Sequence, residues 1–193
     1  MIASLTAAVL LTAASTRPLD VVRQGNDQVQ DVIGREGATV EQLANKVDGF
    51  VDFGELARRA LGKDWQKLTP AQQKDFTATM KDLLRTSYAQ RALGQKASDV
   101  TYENESLEGK EASVLTSIAV KASRYPVEYK LYRPGGSGSW KIYDVVTDEV
   151  SLVQTYRDQF RRLIASKGYN GLLVTLKSKR DQLERTGGRS KVN

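Results

Sequence analysis

The spacing of apolar residues changes twice along this chain, and those two changes decide what it can fold into. From Pro18 to Gly94 apolar residues recur every three or four positions, the period of a helix with one buried face. From Val100 to Val146 they alternate, the period of a strand with one buried face. From Ser151 onward the helical spacing returns. Helices, then a meander of strands, then helices predict an α+β fold, a curved antiparallel four-stranded sheet covered on one face by helices.

Local signals place the elements. Pro18 suits a first helical position, with Leu19, Val22, Val29 and Ile33 on one face and Gly34 as the stop. Thr39-x-x-Gln42 and Asp52-x-x-Glu55 have the spacing of capping boxes, and the second helix they open ends at Leu61-Gly62. Thr69-Pro70, with Gln72 beyond, opens the longest helix, on the order of 35 Å. Phe76, Met80, Leu83, Leu84 and Tyr88 lie on its inner face and Gly94 ends it. Four strands follow, around Val100 and Tyr102, Val114 to Val120, Val127 to Leu131, and Trp140 to Ile142. The loop Pro134–Ser139 makes the last two a hairpin. Setting Arg133 opposite Trp140 puts Leu131 opposite Ile142 and Val127 opposite Val146. One face is then Val127, Tyr129, Leu131, Trp140, Ile142 and Val146, while Glu128, Lys130, Tyr132, Lys141 and Tyr143 face water. Ser151-x-x-Gln154 starts a helix with Leu152, Val153, Tyr156, Phe160, Leu163 and Ile164 inward and Gly168 as C-cap. Asn170 caps a last one through Leu172, Leu173, Leu176 and Leu183.

Composition narrows the chemistry. The chain has no histidine and no cysteine, so it can build no Ser-His-Asp or Cys-His nucleophile, no disulfide and no imidazole or thiolate metal site. Asp48 and Asp52 lack the pattern of a calcium loop, and Gly34 to Gly37 and Gly135-Gly136 read as turns rather than phosphate loops. The net charge is +6, and residues 177–193 carry six basic and two acidic residues, +4 of it. The body keeps only +2, too little for a nucleic-acid groove. The basic end (Lys177, Lys179, Arg180, Arg185, Arg189, Lys191) either docks an anionic partner or is simply solvated. At the other end, Ile2–Ala14 is apolar but too short to span a bilayer, for which roughly 20 residues are needed. Small residues follow it, so 1–16 reads as a cleaved export signal that lacks a basic start, with a short buried helix as the alternative. Residues 17–185 then form one domain and 186–193 a disordered basic tail.

Asp144 is the one residue out of pattern. In the hairpin register above it lies on the apolar face opposite Tyr129, where an unpaired carboxylate is costly. It is either a general base in a pocket or a carboxylate satisfied by a cation or hydroxyl of the following helix, with Arg157 or Tyr156 the nearest donors. Composition leaves carboxylate, Lys or Tyr chemistry and oxygen-ligand metals open, and the enzymatic reading takes Asp144 as base acting on a hydrophobic substrate.

An ordered set of motifs resembles a known family. Asp52-Phe53 precedes Leu61-Gly62-x-x-Trp65 and Pro70-x-x-Gln73-x-x-Phe76, followed by Leu83-Leu84-x-x-x-Tyr88. Pro126-Val127-Glu128-Tyr129 leads to Trp140-x-Ile142-Tyr143-Asp144-Val145. Ser151-Leu152-Val153-x-x-Tyr156-Arg157-x-Gln159-Phe160 and Leu173-x-x-Leu176-Lys177 complete it. Over residues 18–180 the chain resembles the MlaC-type periplasmic phospholipid-binding proteins, the toluene-tolerance family. It departs from them at Asp148-Glu149, where a glycine is expected before the Ser-Leu-Val run. The resemblance implies a nuclear-transport-factor-like sheet flanked by helices, an apolar cavity between sheet and helices, and no enzymatic activity. It implies a periplasmic, monomeric carrier with no cofactor, its cargo a phospholipid. The implied partners are an MCE-domain protein of an inner-membrane ABC transporter and an outer-membrane lipoprotein–porin complex, with no nucleic acid. The inward residues then expected to meet lipid are Leu84, Tyr88, Val127, Tyr129, Leu131, Ile142, Val153, Tyr156, Phe160 and Leu176. An adaptor docking through its basic C-terminal helix, with a packed interior, is the alternative.

Overall fold

Two reciprocal side-chain caps set where helices begin. Thr39 Oγ1 accepts the Gln42 N–H while Gln42 Oε1 accepts the Thr39 N–H (3.2 and 3.0 Å), opening α2, Val40–Val47. Thr69 and Gln72 do the same for α4, Pro70–Leu93 (3.3 and 2.9 Å). α1, Pro18–Ile33, has proline in its first turn and stops at Gly34. α3, Phe53–Leu61, receives only half a box. Asp52 accepts the Glu55 N–H at 2.9 Å, but the Glu55 carboxylate is taken by Arg58 and Arg59. A 3-10 turn, Gly62–Lys67, joins α3 to α4.

The computed structural model describes residues 16–93, 99–136 and 138–187, the side chains of 186 and 187 aside. The expected export signal (bar Thr16), the Gly94 stop and the tail from 188 lie outside those residues.

Five strands, not four, follow: β1 Val100–Glu108, β2 Glu111–Val120, β3 Ser123–Tyr132, β4 Lys141–Thr147 and β5 Val150–Ser151. They form one antiparallel meander in chain order. β5 escapes sequence analysis because two residues carry no period. It is built by a two-residue turn in which Asp148 and Glu149 both take positive φ (48° and 62°), the conformation a glycine would favour. α5, Leu152–Gly187, starts from the Ser151 cap and is broken at Gly168 (φ 67°, ψ 177°). Asn170, expected as a cap, instead lies inside the helical turns that resume after Gly168.

The hairpin register is as expected at Leu131↔Ile142 and then slips. Lys130 pairs with Asp144, Tyr129 with Val145 and Val127 with Thr147, so Tyr143 is an extra, bulged residue. Val145 therefore takes the place expected for Asp144, opposite Tyr129, and Thr147 the place expected for Val146, opposite Val127. The side expected to face water is also partly covered. Tyr143 is buried and meets the half-buried Tyr132 edge-on at 5.9 Å, and both pack against the α3–α4–α5 cluster, with the Arg59 guanidinium 3.7 Å from the Tyr143 ring centroid. On the other side α1 lays Val21 and Val22 on Ala112, Val114, Leu131, Trp140 and Ile142. A third cluster, Val32, Leu43, Ala44 and Ala89, joins α1, α2 and α4.

Candidate functional site

The edge of β4 is bordered by two short neighbours. At Ile142 it meets the segment before α3: the Asp52 N–H donates to the Ile142 carbonyl (2.8 Å) and the Ile142 N–H to the Phe50 carbonyl (2.9 Å). At Val146 and Thr147 it meets β5. Between these neighbours, where the three core clusters come together, lies a pocket of about 460 Å³. Its walls are Val29 of α1, Leu43 and Val47 of α2, Phe53 and Leu56 of α3, and Tyr88, Ala89 and Ala92 of α4. Tyr129, Ile142, Tyr143, Asp144, Val145 and Thr147 supply the sheet side, and Val150, Leu152 and Thr155 close it from β5 and α5. Leu43, Phe53, Leu56 and Ala89 are buried, whereas Val150 is 58 % exposed, so the rim lies beside the β4–β5 turn.

Most of this lining is aliphatic or aromatic. Burial pushes the phenols of Tyr88 and Tyr129 up to about 12, and Tyr143 likewise despite the nearby Arg59 cation. All three are neutral at ordinary pH and act as weakly polar walls.

Asp144 is the one carboxylate in the lining, and both its oxygens are engaged. Oδ1 accepts the N–H groups of Val145 (2.9 Å) and Val153 (3.0 Å), and Oδ2 accepts the Ser151 hydroxyl (2.6 Å). The bulge at Tyr143 aims it at the start of α5, where it satisfies an amide of the first turn and complements the helix dipole. The expected hydroxyl donor is present, but it is Ser151, not Tyr156. Arg157 turns away to donate to the Arg59 carbonyl (2.9 and 3.3 Å). With three of its acceptor positions taken up by β4, Ser151 and the first turn of α5, Asp144 serves as a structural cap. Among the described residues no cluster of three or more acidic ligands could hold a metal ion, and no helix is long and apolar enough to cross a membrane.

Of the ten residues expected to meet cargo, the structure brings Tyr88, Tyr129 and Ile142 to the pocket. Leu84, Val153, Phe160 and Leu176 are buried in the α3–α4–α5 cluster, with Tyr156 half-buried against it. Leu131 is buried under α1 and Val127 is buried in β3. Of the lining residues outside those ten, five come from α1, α2 and α3, where helical spacing marks an inner face without distinguishing a cavity wall from a packed contact, and five from β4 and β5, at or beyond the bulge that shifts the register. Ala89 and Ala92 carried a readable signal: small side chains on the inner face of a long helix near its end.

Comparison with known proteins agrees with this architecture. The model of the family described as MlaC protein matches residues 13–178. The toluene tolerance protein Ttg2D of Pseudomonas putida is 28 % identical over 176 residues, covering 82 % of this chain and 78 % of that one. A phospholipid-binding protein from Ralstonia solanacearum, solved in complex with a phospholipid, superposes with a TM-score of 0.76. It is 24 % identical, and the match covers 88 % of this chain and 99 % of that one. That likeness establishes a shared fold.

Proposed function

The chain belongs to the MlaC protein family, and from that premise we propose that it is a periplasmic carrier that holds phospholipid acyl chains in the pocket beside β4. The observation that carries this reading is the pocket's size and lining. A methylene takes about the room of a water molecule, on the order of 30 Å³. The roughly 460 Å³ therefore suits about 15 methylenes, one acyl chain. Burying such a chain is worth on the order of 12 kcal/mol against water, at ~0.8 per methylene. A bilayer offers the chain much the same gain, so transfer between carrier and membrane is close to neutral. Direction then comes from protein partners rather than from the pocket. In this reading a monomeric carrier shuttles lipid between an outer-membrane lipoprotein–porin complex and the MCE-domain protein of an inner-membrane ABC transporter, without cofactor or catalysis. The second acyl chain requires α1, α2 or α4 to part further from β4. The phospholipid in the Ralstonia neighbour supports the cargo class.

The test is the lipid content of purified protein. Native mass spectrometry and chloroform extraction should find diacyl phospholipid on the wild-type chain. Ala92→Phe, which projects a ring into the pocket from its half-exposed wall, should lower that content severalfold and still melt cooperatively. Wild-type protein that shows only the apo mass, with no lipid in the extract, overturns the proposal.

A further inference from the structure

A second cleft, of about 720 Å³, lies between the 3-10 turn Gly62–Lys67 and the first turns of α5, and it shares no lining residue with the apolar pocket. Its walls carry four cations, Lys63, Lys67, Arg157 and Arg161, against one carboxylate, Asp64. Asp64 is already paired with Lys67 at 2.7 Å. Asp158, the nearest acid on α5, is shared between the Gln154 amide (3.1 Å to each oxygen) and a long 3.8 Å contact to Arg161. Lys63 and Arg157 have no ion pair among the described residues.

Arg157 is the organising group. Its Nε and Nη2 donate to the Arg59 carbonyl and its Nη1 to Gln154 Oε1 (3.2 Å), which fixes the guanidinium plane without neutralising it. Of its five N–H donors two are left without a partner among the described residues. Gly62, which lines the same cleft, owes its place to a positive φ of 57° rather than to crowding, since a Cβ there would meet Arg157 Nε at an ordinary 3.7 Å. The basic residues expected to dock a partner from the C-terminal helix are, by contrast, partly spent within the chain. Lys177 pairs with Asp75 (2.8 Å) and Arg180 with Asp181 (2.7 Å).

We infer that this cleft binds an acidic peptide segment of a partner protein. An unneutralised, pre-oriented guanidinium beside the free Lys63 and the loosely paired Arg161 selects carboxylates. The volume equals that of some 20 or more water-sized groups, at roughly 30 Å³ each, far beyond a single oxyanion. Because the site is a cleft between two walls, it admits an extended chain and excludes a flat lipid surface. A segment held here occupies none of the residues that line the apolar pocket.

The probe is fluorescein-labelled hexaglutamate, titrated with the full chain by fluorescence anisotropy at low salt. Lys63→Gln/Arg161→Gln removes two exposed cations with no strong contact in the fold and should weaken binding about tenfold. Arg35→Gln/Lys179→Gln removes the same charge elsewhere and should leave binding within twofold. Equal weakening in both variants would show attraction by net charge alone and overturn the site. So would displacement of the peptide by millimolar inorganic phosphate, or phosphatidylglycerol vesicles binding with the same dependence on Lys63 and Arg161. Lipid content is read on the same preparations, so loss of peptide binding is separable from loss of cargo.

Discussion

Replacing Asp144 by asparagine tests whether the carboxylate at the pocket wall is a cap or a reactive group. Its three hydrogen bonds, from Val145, Ser151 and Val153, are 2.6 to 3.0 Å long, and the residue is 4 % exposed. Bonds to a charged acceptor contribute about 1.5–3 kcal/mol each and neutral ones about 0.5–1.5, so losing the charge costs roughly 1 kcal/mol per bond. Loss of a negative charge at the start of α5 adds about 0.5 kcal/mol. Relief of carboxylate desolvation works the other way and offsets part of the sum. The net expectation is about 2–3 kcal/mol, or a melting temperature lower by roughly 5–10 °C for a chain of this length. Asp144→Ala, which also leaves the Val153 N–H and the Ser151 hydroxyl unpaired, should cost about 4 kcal/mol. Urea unfolding of lipid-free protein measures both. In a Ser151→Ala background the asparagine substitution should cost about 1 kcal/mol less, because the two side chains share a bond. An asparagine variant within about 0.5 kcal/mol of wild type would refute the capping role.

Three further outcomes follow from the geometry. Glu149→Gly should raise stability by about 0.5–1 kcal/mol in thermal melts, since a left-handed residue costs about 1–2 kcal/mol and glycine gives part of that back in chain entropy; no gain would mean the turn is unstrained. Burial alone would raise the carboxyls of Glu55 and Glu111, but hydrogen bonds from Arg58 and Arg59 to the first and from Arg59 to the second prevail and hold both below 4.5. Their contribution is therefore complete above pH 4.5 and lost as pH falls through the lowered values, and Arg59→Gln should move the acid-unfolding midpoint, read by circular dichroism, to higher pH. Phenol absorbance should show Tyr88, Tyr129 and Tyr143 ionising only near 12; a single transition near 10 for every tyrosine would contradict their burial.

The parts of the fold legible in the sequence are those decided by neighbours in the chain. Thr39 with Gln42 and Thr69 with Gln72 announce helix starts because the groups that bond are three residues apart. Leu131 opposite Ile142 follows from the turn between them. The bulge at Tyr143 does not: alternation runs unbroken through Trp140 and Ile142, and the one local mark, Asp144 on an apolar face, fits a satisfied carboxylate as well as a slipped register. It answers a tertiary demand: it turns Asp144 to the α5 amides and Tyr143 to Arg59, while Val145 takes its place beside Tyr129. A one-residue slip reverses which face each later side chain meets, so the misplacement of Asp144 and Val146 has this single origin.

The site was less legible for a related reason: spacing shows which residues point inward, and a void is a property of what they point at. α4 makes the distinction visible. As far as Leu84 it carries Phe76, Met80, Leu83 and Leu84, which fill their surroundings; Phe76 meets Phe160 edge-on at 5.6 Å. Its last turns carry Tyr88, Ala89 and Ala92 against β4, and there the side chains run out before the space does. Leaving a fully enclosed cavity of about 460 Å³ would cost on the order of 10 kcal/mol at roughly 24 cal/mol per Å³. The open rim makes that an upper bound, yet it matches the whole stability of an ordinary domain, about 5–15 kcal/mol. A chain shaped for stability alone would narrow such a space with larger residues at positions 89 and 92. That these are alanines, in a helix that packs densely one turn earlier, argues that the hollow is normally occupied by something that is not protein.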